Sequence, residues 1–291
     1  YKLRGEYKNA ARAYLGVVRE CPIYRRLAAV LWHVSLMYEA ARLLGRSIKV
    51  RQFLIDKVPN SPHAKRALFL IGANYHALTV YQRAADYYEQ FATQYPGEMA
   101  QNCSADEKRA NICTNAPEAL QNATFFRLGL GQDEKAIDDA RLFEKNYKNR
   151  RPAEVSQVVY SIGAIYERQR NWQKVVDHYQ NYLRQYGRAG KLDEQVQARM
   201  AIAHAYWERN QRKQAEPEAR AALAAWDRAH GTLRGDNAED TEARLAKANN
   251  AVAQARFYLA ELAYNEFLQL RAPEYTPPKT KARGKKGAAE A

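Results

Sequence analysis

Apolar and polar positions follow one pattern down most of this chain. Leu68, Ile71, Gly72 and Tyr75 fall on one face of a helix, and Tyr81, Ala84, Tyr88 and Phe91 on one face of the next, before Pro96 stops it. The spacing returns in Val159, Ile162, Gly163 and Tyr166, followed by Trp172, Val175, Tyr179 and Tyr182. It returns more loosely in Leu31, Val34, Ser35 and Tyr38, and in Arg199, Ile202, Ala203 and Tyr206. From each tyrosine to the small or slim residue opening the second helix is nine positions: Tyr38 to Ser47, Tyr75 to Ala84, Tyr166 to Val175, Tyr206 to Ala215. The pattern predicts an all-α chain of about thirteen helices without β-sheet, built as successive helix pairs.

The second-helix positions Ala10, Ser47, Ala84, Ala136, Val175 and Ala215 are 37, 37, 52, 39 and 40 residues apart. Pro22, Pro59 and Pro96 each lie twelve residues beyond theirs, where proline ends a helix and turns the chain. Gly72, Ala84 and Gly163 lack bulk where paired helices approach most closely, and Tyr75, Tyr88, Phe91, Tyr179 and Tyr182 fill the space they leave. A single pair cannot bury its apolar faces, so each leans on its neighbours.

The run Leu68-x2-Ile71-Gly72-x2-Tyr75 with Tyr81, Ala84, Tyr88, Phe91 and Pro96 resembles the tetratricopeptide repeat position by position. The resemblance implies a helical-hairpin solenoid of about six to seven repeats, wound as a right-handed superhelix, that binds proteins and does no catalysis. The family's common repeat length is about 34 residues, so these repeats are slightly long. Chaperone adaptors of this family clamp a peptide carboxylate with Lys, Asn and Arg. Here Trp32 with Leu36, Phe69 with Ala73 and Tyr160 with Ala164 stand in the corresponding positions, so that activity does not carry over. Phe53-Leu54-x3-Val58-Pro59 and Tyr88-x2-Phe91-x3-Tyr95-Pro96 resemble repeats of bacterial cell-envelope proteins. The long repeats and the closing helix rich in Ala and Arg are similar to multi-repeat proteins of gliding bacteria.

The solenoid is expected over residues 1–272, with loops near 97–117, 187–193 and 230–240. The interval of 52 holds a polar insertion, 97–117. Arg51 stands where the second helix should place an aromatic residue or alanine, so its pair should pack less well or meet a polar neighbour. Thr241 to Ala272 reads as one long helix ending before Pro273. The segment 273–291, with Pro277, Pro278 and then lysines and small residues, reads as a basic tail or linker. Tyr1, nine residues before Ala10, takes the tyrosine slot of a first helix whose beginning is absent. The first repeat is therefore read as truncated on its N-terminal side, leaving Ala10, Tyr14 and Val17 partly covered by the pair at 25–58.

Charge changes this picture little. The net charge is +14 over 291 residues, but residues 279–291 carry five basic residues against Glu290, and elsewhere charges of both signs alternate, as on a solvated face. This argues against nucleic acid and leaves a protein or peptide partner, an acidic one included, as the expectation. No stretch approaches the ~20 apolar residues of a membrane helix. The six histidines are scattered without a metal-binding spacing, no cofactor motif is present, and Gly129-Leu130-Gly131 suits a turn between helices. Acid pairs such as Asp138-Asp139 are expected on exposed faces, without perturbed acidity. No metal, cofactor or enzyme activity is expected.

Cys103 and Cys113 share the polar insertion. They are either free thiols or a disulfide stapling a loop with no core of its own, with Cα atoms then within ~6.8 Å. A disulfide would favour the periplasm or cell envelope over the cytoplasm. Cys21 is expected as a lone packed thiol. The concave wall of the solenoid, lined by first helices, is the expected binding surface. In the register of the core, Trp32, Leu36, Phe69, His76, Phe125, Tyr160, Arg168, Met200, His204, Trp207 and Tyr258 point away from the second helices and form the expected groove. Two other roles remain open: a structural spacer with an empty groove, and a basic surface for an anionic polymer or lipid headgroups.

Overall fold

The computed structural model describes residues 1–21, 24–109 and 112–270. Among them are thirteen α-helices and no β-strand. A lone helix α1 (Tyr7–Glu20) precedes five antiparallel hairpins: α2 (Leu27–Ala40) with α3 (Leu44–Lys57), α4 (Pro62–Ala77) with α5 (Tyr81–Gln94), then, after the five-residue α6 (Ala105–Arg109), α7 (Ala116–Gly129) with α8 (Asp133–Tyr147), α9 (Pro152–Arg168) with α10 (Trp172–Tyr186), and α11 (Leu192–Glu208) with α12 (Arg212–Ala229). The 32-residue α13 (Ala238–Gln269) closes the row. Each second helix packs on its own first helix and on the first helix of the next pair, which makes the fold a helical-hairpin solenoid.

One turn makes all five hairpins. In each, the first helix ends in a left-handed residue four positions after the tyrosine slot: Arg42, Thr79, Gly131, Arg170 and Asn210. The next amide donates back to the carbonyl of that slot, as Leu43 N does to Tyr38 O and Val80 N to Tyr75 O. This satisfies carbonyls that the helix end would leave bare. Gly5, four positions after Tyr1, is left-handed as well, and Glu6 N donates to Tyr1 O.

The small residues sit under aromatic rings. A Cβ on Gly72 would lie 2.7 Å from the Tyr88 ring, and one on Gly163 would lie 2.2 Å from Tyr179, inside van der Waals contact. Aromatic and aliphatic side chains from Leu31 to Ala205 form one continuous core along α2 to α11. A smaller cluster joins α11, α12 and α13 through Val196, Met200, Trp226 and Val252, and another joins α1 to α2 through Ala10, Ala11, Val34 and Met37. On α1, Tyr14 and Val17 remain exposed.

Two arginines are wholly buried. Arg51 does meet polar neighbours: Glu39 at 2.6 Å, the Asn74 side chain and the Trp32 ring, with Asn74 bonded in turn to Glu39. Arg127 occupies the tyrosine slot of its hairpin and pairs with Asp139 at 3.1 Å, and with Asp86 and Glu89. Asp139 is therefore not on an exposed face as its sequence context suggests. It is 1% exposed, and burial pushes its carboxyl up to about 7, against the pull of Arg127.

The insertion between α5 and α7 carries the disulfide Cys103–Cys113, with Cα atoms 5.8 Å apart. Met99 anchors it in the main core, and Glu98 bonds to Lys65 and Thr114. Cys21 is exposed, not packed: it stands just past the C-terminal end of α1. Residues 273–291 lie outside those described, as does Pro22.

Candidate binding groove

The first helices α2, α4, α7, α9, α11 and α13 form one layer. Within this layer α2 meets α4, α7 meets α9, α9 meets α11 and α11 meets α13, whereas neighbouring second helices hardly touch, which marks it as the concave side. Toward the C-terminal end the layer does not close. Between α9, α11 and α13 lies a cavity of about 450 Å3, walled by Tyr160, Met200, His204 and Tyr258. Beside it a second, of about 230 Å3, is bounded by Phe125 on α7, Gln157 on α9 and Arg244 on α13. The two share Tyr160, Gln197 and Lys247 and together form a trough.

Its walls are held from behind. Tyr160 packs on Tyr179 and Tyr182, with ring centroids 5.6 and 5.5 Å away. Burial, then the nearby carboxylates of Glu167, Glu194 and Asp193, push its phenol well above the ordinary range, so it stays a neutral hydroxyl. Tyr179 donates to Glu167 at 2.5 Å. Tyr182 donates to Glu194 at 2.9 Å and accepts from Ser156. Burial raises the Glu194 carboxyl, and the bond from Tyr182 opposes the rise. At the far end Tyr258 stacks on Trp207 at 4.6 Å with the planes 7° apart, and the Arg212 guanidinium lies 5.0 Å from the Trp207 ring. Trp172 meets His204 edge-on at 5.1 Å. This end of the trough is aromatic, while its floor and the α13 wall are polar.

Of the expected groove residues, Phe125, Tyr160, Met200, His204 and Tyr258 line the trough, and Trp207 adjoins it through Tyr258. The others do not. Trp32 is buried, stacked on His63 at 5.4 Å and facing Arg51, because α4 covers it. Phe69 turns toward α5 and packs on Tyr88 and Phe91. Leu36 is half-buried against the core. His76 lies against Phe126 and Tyr81, and Arg168 pairs with Asp133 on α8. The repeat pattern did not point to Gln157, Gln197, Lys247, Asn250 or Gln254. A usable signal existed for two of them, since Gln157 and Gln197 both stand nine positions before a slot tyrosine.

The hairpins, their common turn and the nine-residue register together define a solenoid of the tetratricopeptide type. No protein-family model and no curated protein matches the chain. Among solved structures it is similar to MamA, with 15% identity over 66% of this chain and 93% of that one and a TM-score of 0.41. It is also similar to BtubC from P. vanneervenii, with 11% identity over 80% of this chain and 92% of that one and a TM-score of 0.42. YrrB, described as a TPR protein with an unusual peptide-binding site, shares 12% identity over 74% of this chain and 93% of that one, with a TM-score of 0.41. The likeness to proteins of gliding bacteria finds no support among these structures.

Proposed function

We propose that this chain is a non-catalytic scaffold that holds a partner polypeptide in the trough between α7, α9, α11 and α13. The observation that carries this reading is the trough itself. The trough is a preformed concavity with stacked aromatic residues at one end and polar groups on its floor, the composition of protein-binding surfaces. Photo-crosslinking in cells tests it. Benzoylphenylalanine placed at His204 should trap a polypeptide that the same group at Arg141, on the outer helix α8, does not. Equal trapping at both positions, or none at 204, removes the reading.

We further infer a place outside the cytosol, within a bacterial envelope assembly. The Cys103–Cys113 disulfide supports it, since such bonds persist in oxidising compartments. Acid-quenched, alkylated cells should yield both cysteines unlabelled; a fully alkylated pair would refute this placement.

A further inference from the structure

The three-residue turns that close the hairpins lie along one edge of the solenoid, and this edge carries cations where a helix tolerates them least. Arg46, Arg83, Lys135 and Lys174 each stand four positions after a left-handed residue, as the third residue of α3, α5, α8 and α10. The fifth second helix, α12, opens on Arg212 and Lys213. A first turn is the positive end of the helix dipole and favours acids, yet among the five only α8 has any there. Arg42 and Arg170 hold the left-handed conformation itself, which glycine or asparagine adopts at less cost.

Contacts within the chain account for little of this charge. Arg46 and Lys174 lie over the rings of Tyr38 and Tyr166, but none of Arg42, Arg46, Lys49, Arg83, Lys135 and Lys174 makes an ion pair among the described residues. At the opposite edge cations are matched instead, Lys65 with Glu98, Lys148 with Glu144 and Arg151 with Glu154. Of the acids near the turns, Glu39 is bound to Arg51, Asp133 to Arg168, and Glu167 accepts from Tyr179. Glu6, Glu134 and Glu208 have no Lys or Arg partner among the described residues, and Glu261 and Glu266 lie further out on α13. The unpaired cations outnumber them.

The same edge is apolar. Leu78, Val80, Tyr81 and Leu130 are exposed on it. Between the first two turns lies a hollow of about 480 Å3, lined by Leu43, Leu44 and Leu78 together with Arg42, Arg46 and Lys49, and by no acid. α13 runs parallel to α11, from Arg244 on Asp193 to Tyr258 on Trp207 in the last turn of α11. Residues 259–269 therefore pass beyond that level by about 16 Å, with Tyr264, Phe267 and Leu268 exposed. A soluble polyanion would need the cations alone. Cations set among exposed leucine and aromatic side chains suit the surface of a bilayer, where apolar side chains enter the acyl boundary and cations meet headgroup phosphates. No helix among the described residues is long and apolar enough to cross a membrane.

We propose that the turn edge docks on bilayers containing anionic phospholipid, with the hollow between the first two turns seating a headgroup phosphate and the end of α13 entering the interface beside it. The trough lies on the concave face and not on this edge, so the two readings stand or fall separately.

Flotation of the full chain with vesicles tests it. Wild type should float with phosphatidylcholine vesicles holding about a third phosphatidylglycerol, should not float with phosphatidylcholine alone, and should be released as salt rises. Arg46→Ser with Lys49→Ser should weaken binding about tenfold or more, whereas Arg150→Ser with Arg188→Ser, an equal loss of charge on the opposite edge, should leave it unchanged. Leu78→Ser with Leu130→Ser should weaken vesicle binding severalfold and leave binding to soluble polyphosphate as it was. Residues 279–291 are basic too, so each comparison is repeated with Lys279, Lys281, Arg283, Lys285 and Lys286 changed to Gln, and the differences should persist. No flotation with anionic vesicles, equal flotation with neutral ones, equal loss from the two charge pairs, or differences that vanish with the five tail charges would each overturn the proposal. Vesicle binding indifferent to the two leucines and displaced by polyphosphate would reveal a polyanion surface, and would overturn it as well.

Discussion

Asp139 is a carboxylic acid held where water cannot reach it, beside a guanidinium that three acids share. Its ordinary value is 3.8 and its buried value about 7. Between those values the folded chain holds a proton that the unfolded chain has released, so this group's contribution to stability is largest near the lower value and is lost as pH rises through the upper one. Wild type should therefore lose on the order of 2 kcal/mol between about pH 5 and pH 8 relative to Asp139→Asn, read from urea midpoints. His63 and His178, whose burial lowers their pKa, give a slope of opposite sign, but both proteins share it. Parallel profiles would show that Arg127 keeps Asp139 ionised throughout. The sequence hid this pair for a physical reason. The acids that meet Arg127 from α5, Asp86 and Glu89, lie 41 and 38 residues upstream, and no helical period links them. Gly72 and Gly163 were legible because the tyrosines that cover them recur at a fixed offset.

At the scale of elements the insertion between α5 and α7 stands apart, because it forms no hairpin and is tied to the solenoid by Met99 and Ile112 in the core, by Glu98 bonded to Lys65 and by the Pro96 carbonyl bonded to Tyr147. Its disulfide closes a loop with a sequence separation of 10, for which chain entropy gives about 2–3 kcal/mol. Replacing both cysteines by serine should cost up to that amount in thermal or urea unfolding and increase proteolytic nicking within the insertion. A double variant as stable as wild type, and as resistant to protease, would show that Met99 and Glu98 hold the segment unaided. The groove shows a second limit of reading by element. Periodicity says which way a side chain leaves its helix, but not whether the next pair covers it. Trp32 and Tyr160 hold the same register position; His63 lies over the first, while the space before the second stays open.

The whole molecule is a row, not a ball, and its stability should be graded along the row. The main core runs from α2 to α11, whereas α1 rests on a small cluster and the end of α13 leaves Phe257, Tyr264, Phe267 and Leu268 in solvent. Hydrogen exchange should be slowest in α5 to α10 and about a hundredfold or more faster in α1 and in residues 257–269. Uniform protection along the chain would contradict this and indicate a single cooperative unit. The shared turn bears on something else, namely where such a chain can change its length. Every connection within a hairpin has three residues, while those between hairpins run from four in 58–61 and 148–151 to the whole of 95–115. All the variation in connection length within this chain thus falls on one edge of the solenoid. Two extra residues after Arg150 should leave the fold intact, whereas the same two after Arg170 should break the turn and unpair α9 from α10, which circular dichroism and melting would separate. Loops, tags or whole domains grafted on that edge should therefore disturb the hairpins less than insertions in the three-residue turns.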